Sequence, residues 1–520
     1  MAKSLMIQGT GSGAGKSLIV TALCRIFSDM GLKAAPFKAQ NMALNSYISA
    51  EGGEMGRAQV LQAEAARAKP SIHMNPILLK ASGEKGSQVI IHGKVHSTMK
   101  AQEYYAFKKE AWEAVKESLN KLLNNYELAV IEGAGSPAEI NLMDADIVNM
   151  AVARLAKAPV ILVGDIDKGG VFASLYGTVK LLGKNSRHVK AFLINKFRGD
   201  LNILKPGLAM IREKTGKPVI GVMPYIKNIG LPEEDGLALY EKSAGATPSE
   251  DPHQEVRSRK PEIKVVILKL QYISNFTDFD PFLYEPDIEF IYSNNPSEIE
   301  NADIVIIPGS KNTVKDLLLL KQAGIDAGIK RACSKGVRII GICGGYQMLG
   351  RIIYDPHKIE SSHKEIEGIG LLDIETTFGK EKVTCQVEFS AIRNWLPFAV
   401  TDDGYESRLK GYEIHMGESK GDTGLFKLKR LSLNSEFQTQ EPVILEGSRN
   451  GNCWGTYIHG IFENDIFRRG ILNQVRLEKG LPLFESTINY SKIKEKAIDN
   501  LASVFRENTD MDFIKRLIKI

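Results

Sequence analysis

The stretch LMIQGTGSGAGKS, Leu5 to Ser17, decides how the first half of this chain is read. Leu5 to Gln8 is a short apolar run of strand character. Glycines at Gly9, Gly11, Gly13 and Gly15 follow, then Lys16, Ser17 and the helical run Leu18 to Phe27. Strand, glycine loop, Lys-Ser and helix in that order make a phosphate loop. Glycines let backbone N–H groups converge on an anion, the lysine reaches the terminal phosphates, and the serine can ligate Mg²⁺ at the positive end of the helix. The strict spacing GxxxxGK[ST] would place glycine where Thr10 stands, so this loop is a variant. Thr10, Gly13, Gly15, Lys16 and Ser17 are the first candidate nucleotide-binding residues.

The rhythm around the loop is that of a parallel sheet with crossover helices. Short apolar runs recur at Ser4 to Gln8, Leu128 to Glu132, Val160 to Gly164, Ala191 to Asn195 and Val219 to Met223, separated by amphipathic stretches. Polar residues at the ends of these runs face the ligand crevice of such a sheet. Glu132 closes one run and, with the loop present, is read as a Mg²⁺ ligand beside Ser17. Asp165 and Asp167, in GDIDKGG, are metal or substrate contacts, and Asp165 joins Ser17 and Glu132 as a candidate metal ligand. Asn195 is either an amide able to read adenine or a turn residue. Lys38, Gln40 and Asn41, in PFKAQNM, are candidates for phosphate or substrate contact.

Between Glu241 and Glu262 the chain turns polar and loses its periodicity, which marks a linker. A second alternation follows at Ile263 to Leu270, Ile304 to Pro308 and Val337 to Cys343. The region Gly370 to Ser448, richer in Thr, Val and aromatics, predicts antiparallel strands, and the segment after Asp465 predicts helices. The expected division is an ATP-binding domain over 1–242, a linker over 243–261 and a second domain over 262–520 that includes the C-terminal helices. Both domains are expected to be doubly wound α/β.

The second domain carries its own motif. Gly341, Ile342, Cys343, Gly344 and Gly345 put a cysteine on a glycine-flanked bend between an apolar strand and a helix, the pattern of a nucleophile elbow. The loop Pro308 to Lys311 can offer backbone N–H groups to an oxyanion. Among nine histidines, His459 in TYIHGIF is the candidate base, with Cys343 the candidate nucleophile.

Composition excludes several classes. A chain of 520 residues is too long for one core, and 43% hydrophobic with 25% charged residues is ordinary for a globular enzyme. A net charge of +5, with basic residues scattered, gives no nucleic-acid footprint. The five cysteines form no CxxC pair, and no stretch has the length and apolarity of a signal peptide or membrane span. A cytoplasmic protein with neither nucleic-acid nor membrane partner is expected.

These motifs resemble known families. The loop GTGSGAGKS is similar to the GTxSxxGKS form of dethiobiotin synthetase-like ATPases, which phosphorylate a carboxylate. The PGS loop, GICGG elbow and late histidine resemble triad-type, class I glutamine amidotransferases. That family places Glu two positions after the histidine, where Ile461 stands here. Another group, with Glu413 and His415 of GYEIHMG as examples, then orients His459, or the site is a Cys-His dyad.

The whole chain resembles the cobyric acid synthase family of the cobalamin pathway. Its carriers are PFKAQNMALNS (Pro36 to Ser46), EGAGSPAEINL (Glu132 to Leu142), GDIDKGGVFAS (Gly164 to Ser174), NKFRGD (Asn195 to Asp200), LPEED (Leu231 to Asp235), GICGGYQMLG (Gly341 to Gly350) and GYEIHMG (Gly411 to Gly417). The resemblance implies amidation of the b, d, e and g carboxylates of adenosylcobyrinic acid a,c-diamide with ATP, Mg²⁺ and glutamine. Cobalt would enter only with the corrinoid substrate. Two rivals are a partitioning or scaffold ATPase with a non-catalytic glutaminase-like domain, and a related amidotransferase acting on cobyrinic acid or a cell-wall precursor.

Overall fold

The structure, a computed structural model, describes residues 2–81, 86–227, 229–232, 261–392, 409–431, 443–485 and 488–520. It divides into two compact units. The first holds Met1–Ala43, Glu54–Leu231 and Lys492–Ile520, and the second holds Leu44–Gly53 and Pro232–Ser491.

The first unit is built on a six-stranded parallel sheet in the order Val219–Pro224, Val189–Phe197, Val160–Asp165, Lys3–Gly9, Leu128–Glu132, Ala34–Phe37. Every residue of Leu128–Glu132 and Val160–Asp165 is buried. Helices cover both faces of such a sheet, so its central strands read as unbroken apolar runs instead of alternating. Because the strands are parallel, their C-terminal ends lie along one edge. Ile7 pairs with Glu132, and Asp165 with Asn195, which brings the phosphate loop, Glu132, Asp165 and Asn195 to that edge. A four-stranded sheet of Gln40–Met42, Ile77–Ala81, Ser87–Ile91 and Lys94–Met99 is added to this unit.

The second unit contains another doubly wound sheet, in the order Ile288–Tyr292, Ile263–Ile267, Ile304–Ile307, Arg338–Ile342, Cys453–Thr456, Ser448–Asn450. All neighbours are parallel except the last pair. A second sheet, mostly antiparallel, is centred on the long strands Ile374–Ala391 and Leu409–Gly421 and ends on Ile458–His459. The antiparallel region expected from the Thr- and Val-rich composition is this sheet.

Two parts of the chain lie elsewhere than the sequence division places them. The C-terminal helices Tyr490–Asn508 and Met511–Ile518 are helical as expected, but from Lys492 onward they belong to the first unit. Their stripe Ile498, Leu501, Ala502, Phe505, Ile514 and Ile518 enters the core formed by Leu5, Leu23, Phe27 and Leu193. Arg25, buried beneath the helix, is paired with Glu495 at 2.6 Å. In the other direction, Leu44–Gly53 leaves the N-terminal sequence and packs within the second unit. The expected linker falls outside the described residues except for its last position, as do Glu233 to Asp235 of LPEED. Among the described residues no helix is long and apolar enough to cross a membrane.

Candidate functional site

At the phosphate loop, Gly13 and Gly15 adopt φ of 70° and 91°, a left-handed backbone that side-chain-bearing residues avoid. Gly15 ends the turn directly before the helix Lys16–Asp29, and a Cβ there would strike the Asn195 carboxamide. Asn195 donates to the Ala14 carbonyl at 2.9 Å, so it shapes the loop from a strand end two places along the sheet. Lys16 Nζ donates to the carbonyls of Gly11, at 3.0 Å, and Gly135, at 3.3 Å. Thr10 is held by a backbone bond from its N–H to Val163 O at 2.9 Å.

Glu132 gathers a cluster of polar partners. Ser17 Oγ donates to its Oε1 at 2.9 Å, Lys38 Nζ lies 2.9 Å from the same oxygen, and Gln62 Nε2 donates to Oε2 at 2.5 Å. Ser17, Lys38 and Glu132, all candidates from the sequence, stand together. Gln62, from the helix Arg57–Ala65, had no sequence signal. Asp165 is engaged by Lys196, whose ammonium lies 2.9 Å from Oδ2 and also donates to Gly13 O at 2.7 Å. Lys196 is a loop contact outside the candidates that the motifs mark, although it directly follows Asn195. Asp167 is paired at the surface with Arg198, at 3.1 Å. Oxygen ligands are what Mg²⁺ takes, and the Ser17 hydroxyl and Glu132 carboxylate fit that requirement as an adjacent pair.

In the second unit Cys343 follows the strand Arg338–Ile342 with φ 52° and ψ −108°, the strained bend of an elbow. Its neighbours must be glycine: a Cβ on Gly345 would overlap the Ile307 carbonyl, and one on Gly344 would come within 2.9 Å of the Ser310 amide nitrogen. The elbow and the Pro308 to Lys311 loop therefore pack together. A Cβ on Gly309 would lie 3.3 Å from His459 Cε1, which sets the same loop against the histidine.

His459 faces Cys343, whose side chain favours the charged imidazole. Its Nδ1 lies 2.6 Å from Asp278 Oδ2, and Asp278 Oδ1 accepts from the Gly460 N–H at 3.2 Å. All of this is buried. Burial alone would lower the imidazole pKa, but the Asp278 charge and the Cys343 side chain outweigh it and push it up to about 10.

The carboxylate at His459 Nδ1 is therefore Asp278, a group other than the two named examples Glu413 and His415, and the pair is not a bare dyad. Glu413 is committed elsewhere, 2.7 Å from Arg430 Nε and 3.6 Å from His415 Nε2. Burial opposes its ionisation, yet the nearby His415 ring and the hydrogen bond from Arg430 pull its pKa down to about 2. His415 bonds to Gly417 O at 3.0 Å and stacks on Tyr457. Ile461, where a standard triad has Glu, is fully buried in the apolar core.

A phosphate-loop unit and a unit with a Cys-His-Asp glutaminase arrangement define a two-domain, glutamine-dependent amidotransferase. Comparison with known proteins agrees. Residues 5–239 match the CobQ/CobB/MinD/ParA nucleotide binding domain, and residues 264–467 match the CobB/CobQ-like glutamine amidotransferase domain. Cobyric acid synthase of Thermodesulfovibrio yellowstonii is 50% identical over 98% of this chain and 98% of its own length. Those of Caldanaerobacter subterraneus subsp. tengcongensis and a Thermoanaerobacter species are 49% and 48% identical, each over 100% of this chain and 99% of its own length. This chain belongs to the cobyric acid synthase family.

Proposed function

We propose that this chain converts carboxylates of a corrinoid into carboxamides, consuming ATP and glutamine. In its full form the reading is amidation of the b, d, e and g carboxylates of adenosylcobyrinic acid a,c-diamide. The observation that carries it is the presence, in one chain, of a Cys343–His459–Asp278 arrangement and a Lys16–Ser17–Glu132 cluster, each suited to one half of the reaction.

At the glutaminase centre His459 takes the Cys343 thiol proton, and Sγ attacks the glutamine carboxamide carbon. The imidazolium returns that proton to the departing nitrogen, and ammonia leaves as the thioester forms. Water, with His459 again as base, hydrolyses the thioester to glutamate. Asp278 holds the ring in the orientation this shuttle needs and stabilises its charged form.

At the other centre the backbone N–H groups of Gly13 to Ser17 and the Lys16 ammonium hold the phosphates of ATP. The substrate carboxylate attacks the γ-phosphorus, giving an acyl phosphate and ADP. Ammonia then displaces phosphate to leave the amide. Ser17 and Glu132 would hold Mg²⁺, which when bound offsets charge on the transferring phosphoryl group.

The test is incubation with ATP, glutamine and cobyrinic acid a,c-diamide, followed by mass spectrometry of the corrinoid. Stepwise mass decreases, one for each OH to NH₂ exchange, are expected. An unchanged corrinoid, with glutamine hydrolysed and ATP present, would refute the substrate.

A further inference from the structure

The segment Leu44–Gly53 departs from the first unit after Ala43 and rejoins it at Glu54, yet between those points it is part of the second unit. Its core is completely enclosed: Asn45, Ser46 and Ile48 are all buried. Asn45 Oδ1 accepts from the Phe276 N–H at 3.1 Å, the Ser46 N–H donates to Asn275 Oδ1 at 3.0 Å, and the Tyr412 hydroxyl donates to Ser46 O at 3.2 Å. Ile48 packs with Tyr412 and Ile414. Farther along, Thr384 donates to Gly52 O at 2.9 Å, and Gln386 bonds to Ile48 O.

Three of the groups that the segment grips, Asn275, Tyr412 and Ile414, touch the reacting pair on their other side. The Asn275 carboxamide lies 3.5 Å from His459 Nδ1. The Tyr412 ring stacks on the His459 ring, with centroids 5.3 Å apart and planes at 17°. Ile414 O accepts from Cys343 Sγ at 3.5 Å. Phe276 opens the 3₁₀ turn Phe276–Tyr284 that carries Asp278, and Asn275 before it is held at φ 52°. A residue in that conformation needs outside support to stay there, and Ser46 supplies a bond to its side chain.

We propose that Leu44–Gly53 is a positioning strap of the glutaminase centre. Asn45 and Ser46 hold the Asn275–Asp278 turn, and Ser46 and Ile48 hold Tyr412 and Ile414, so that Asp278, His459 and Cys343 stay aligned. The strap touches none of the reacting atoms. Its role is separable from carboxylate activation, and it rests on the reading of Cys343 and His459 as the glutaminase pair.

The experiment uses the full chain carrying Asn45→Ala, which removes the acceptor for Phe276 N–H, and separately Tyr412→Phe, which removes the bond to Ser46 but keeps the ring over His459. Glutamine hydrolysis, glutamine-supported amidation and ammonia-supported amidation are measured for each. The expected result is a fall of about tenfold in kcat for glutamine hydrolysis, the scale of one lost buried hydrogen bond. KM for glutamine should stay within about twofold, and ammonia-supported amidation should be retained. Unchanged hydrolysis in both variants would overturn the strap, as would glutamine- and ammonia-supported rates falling together. Cys343→Ala is the control: if it leaves wild-type glutamine hydrolysis intact, the glutaminase pair is misassigned and the strap falls with it.

Discussion

Asp278→Asn isolates the feature that most distinguishes this glutaminase centre. The exchange is nearly isosteric, and Asn Oδ1 can still accept from Gly460 N–H, which Asp278 now does at 3.2 Å. What changes is the partner of His459 Nδ1, 2.6 Å away. A carboxylate there accepts a proton held on Nδ1, whereas the Asn amide donates to Nδ1 and drives the proton to the opposite nitrogen, where it blocks uptake of the thiol proton. The rise of the imidazole pKa from 6.5 to about 10 is on the order of 5 kcal/mol in favour of the charged ring. Asp278 is the foremost contributor to that rise, and without it burial pulls the pKa back down. We expect kcat for glutamine hydrolysis to fall about 10²- to 10⁴-fold, roughly 3–5 kcal/mol, with ammonia-supported amidation unaffected. Stability gives an independent readout. A histidine whose folded pKa is raised contributes stability that is complete below its unfolded pKa near 6.5 and is lost as pH rises through about 10. Wild-type protein should therefore lose melting temperature over that window, and the Asn variant should lose less. Hydrolysis within about threefold of wild type, with an unaltered pH dependence of melting, would refute Asp278 as the orienting group.

Cys343→Ala should abolish glutamine-supported amidation and leave the ammonia-supported rate within about twofold, measured by product formation at saturating ammonium. Loss of both would mean that Cys343 also serves the synthetase reaction. Glu132→Gln should suppress amidation from either nitrogen source by about 10²-fold or more while glutamine hydrolysis persists, and titrating Mg²⁺ against bound nucleotide should show weakened metal dependence. Glu446 is buried, accepts from Thr456 Oγ1 and Tyr457 N–H at 2.6 Å each, and has its pKa pushed up by burial to about 8. The folded state then binds a proton that the unfolded state has released, so this group makes stability fall as pH rises from about 4.5 to about 8, by about 1.4 kcal/mol per unit. Glu446→Gln, which mimics the protonated acid, should flatten that slope in denaturant titrations; an unchanged slope would show that Glu446 does not carry it.

How much of this was legible in sequence depends on whether the parts are contiguous. The phosphate loop and the elbow are each built from consecutive residues whose glycines are demanded by local geometry, at Gly15 by φ 91° and at Gly345 by the Ile307 carbonyl. Such requirements are written where they act. The strand ends were legible for a related reason: parallel strands put their C-terminal residues on one edge, so Glu132 and Asn195 could be placed from the rhythm of apolar runs alone. Gln62 and Asp278 had no such mark. Asp278 lies 181 residues before His459, in a run where Asp280 is as good a carboxylate by sequence, and only the packing of the turn selects it.

The C-terminal helices show a different limit. Their apolar stripe announces a buried face, but periodicity does not name the core that receives it, and Phe505 joins Phe27 rather than the second unit it adjoins in sequence. The strap is the same lesson reversed, since PFKAQNMALNS reads as one motif although its last residues belong to another unit. Ile461 connects these points. Its position is fully buried among apolar side chains, so a carboxylate there would be desolvated. A histidine base still needs an acceptor at Nδ1, and the acceptor has come from the turn that Asn45 and Ser46 brace. Moving the carboxylate away from the residues next to the histidine thus makes alignment of the pair depend on a segment supplied by distant sequence, which is why neither Asp278 nor the strap could be found by reading outward from His459.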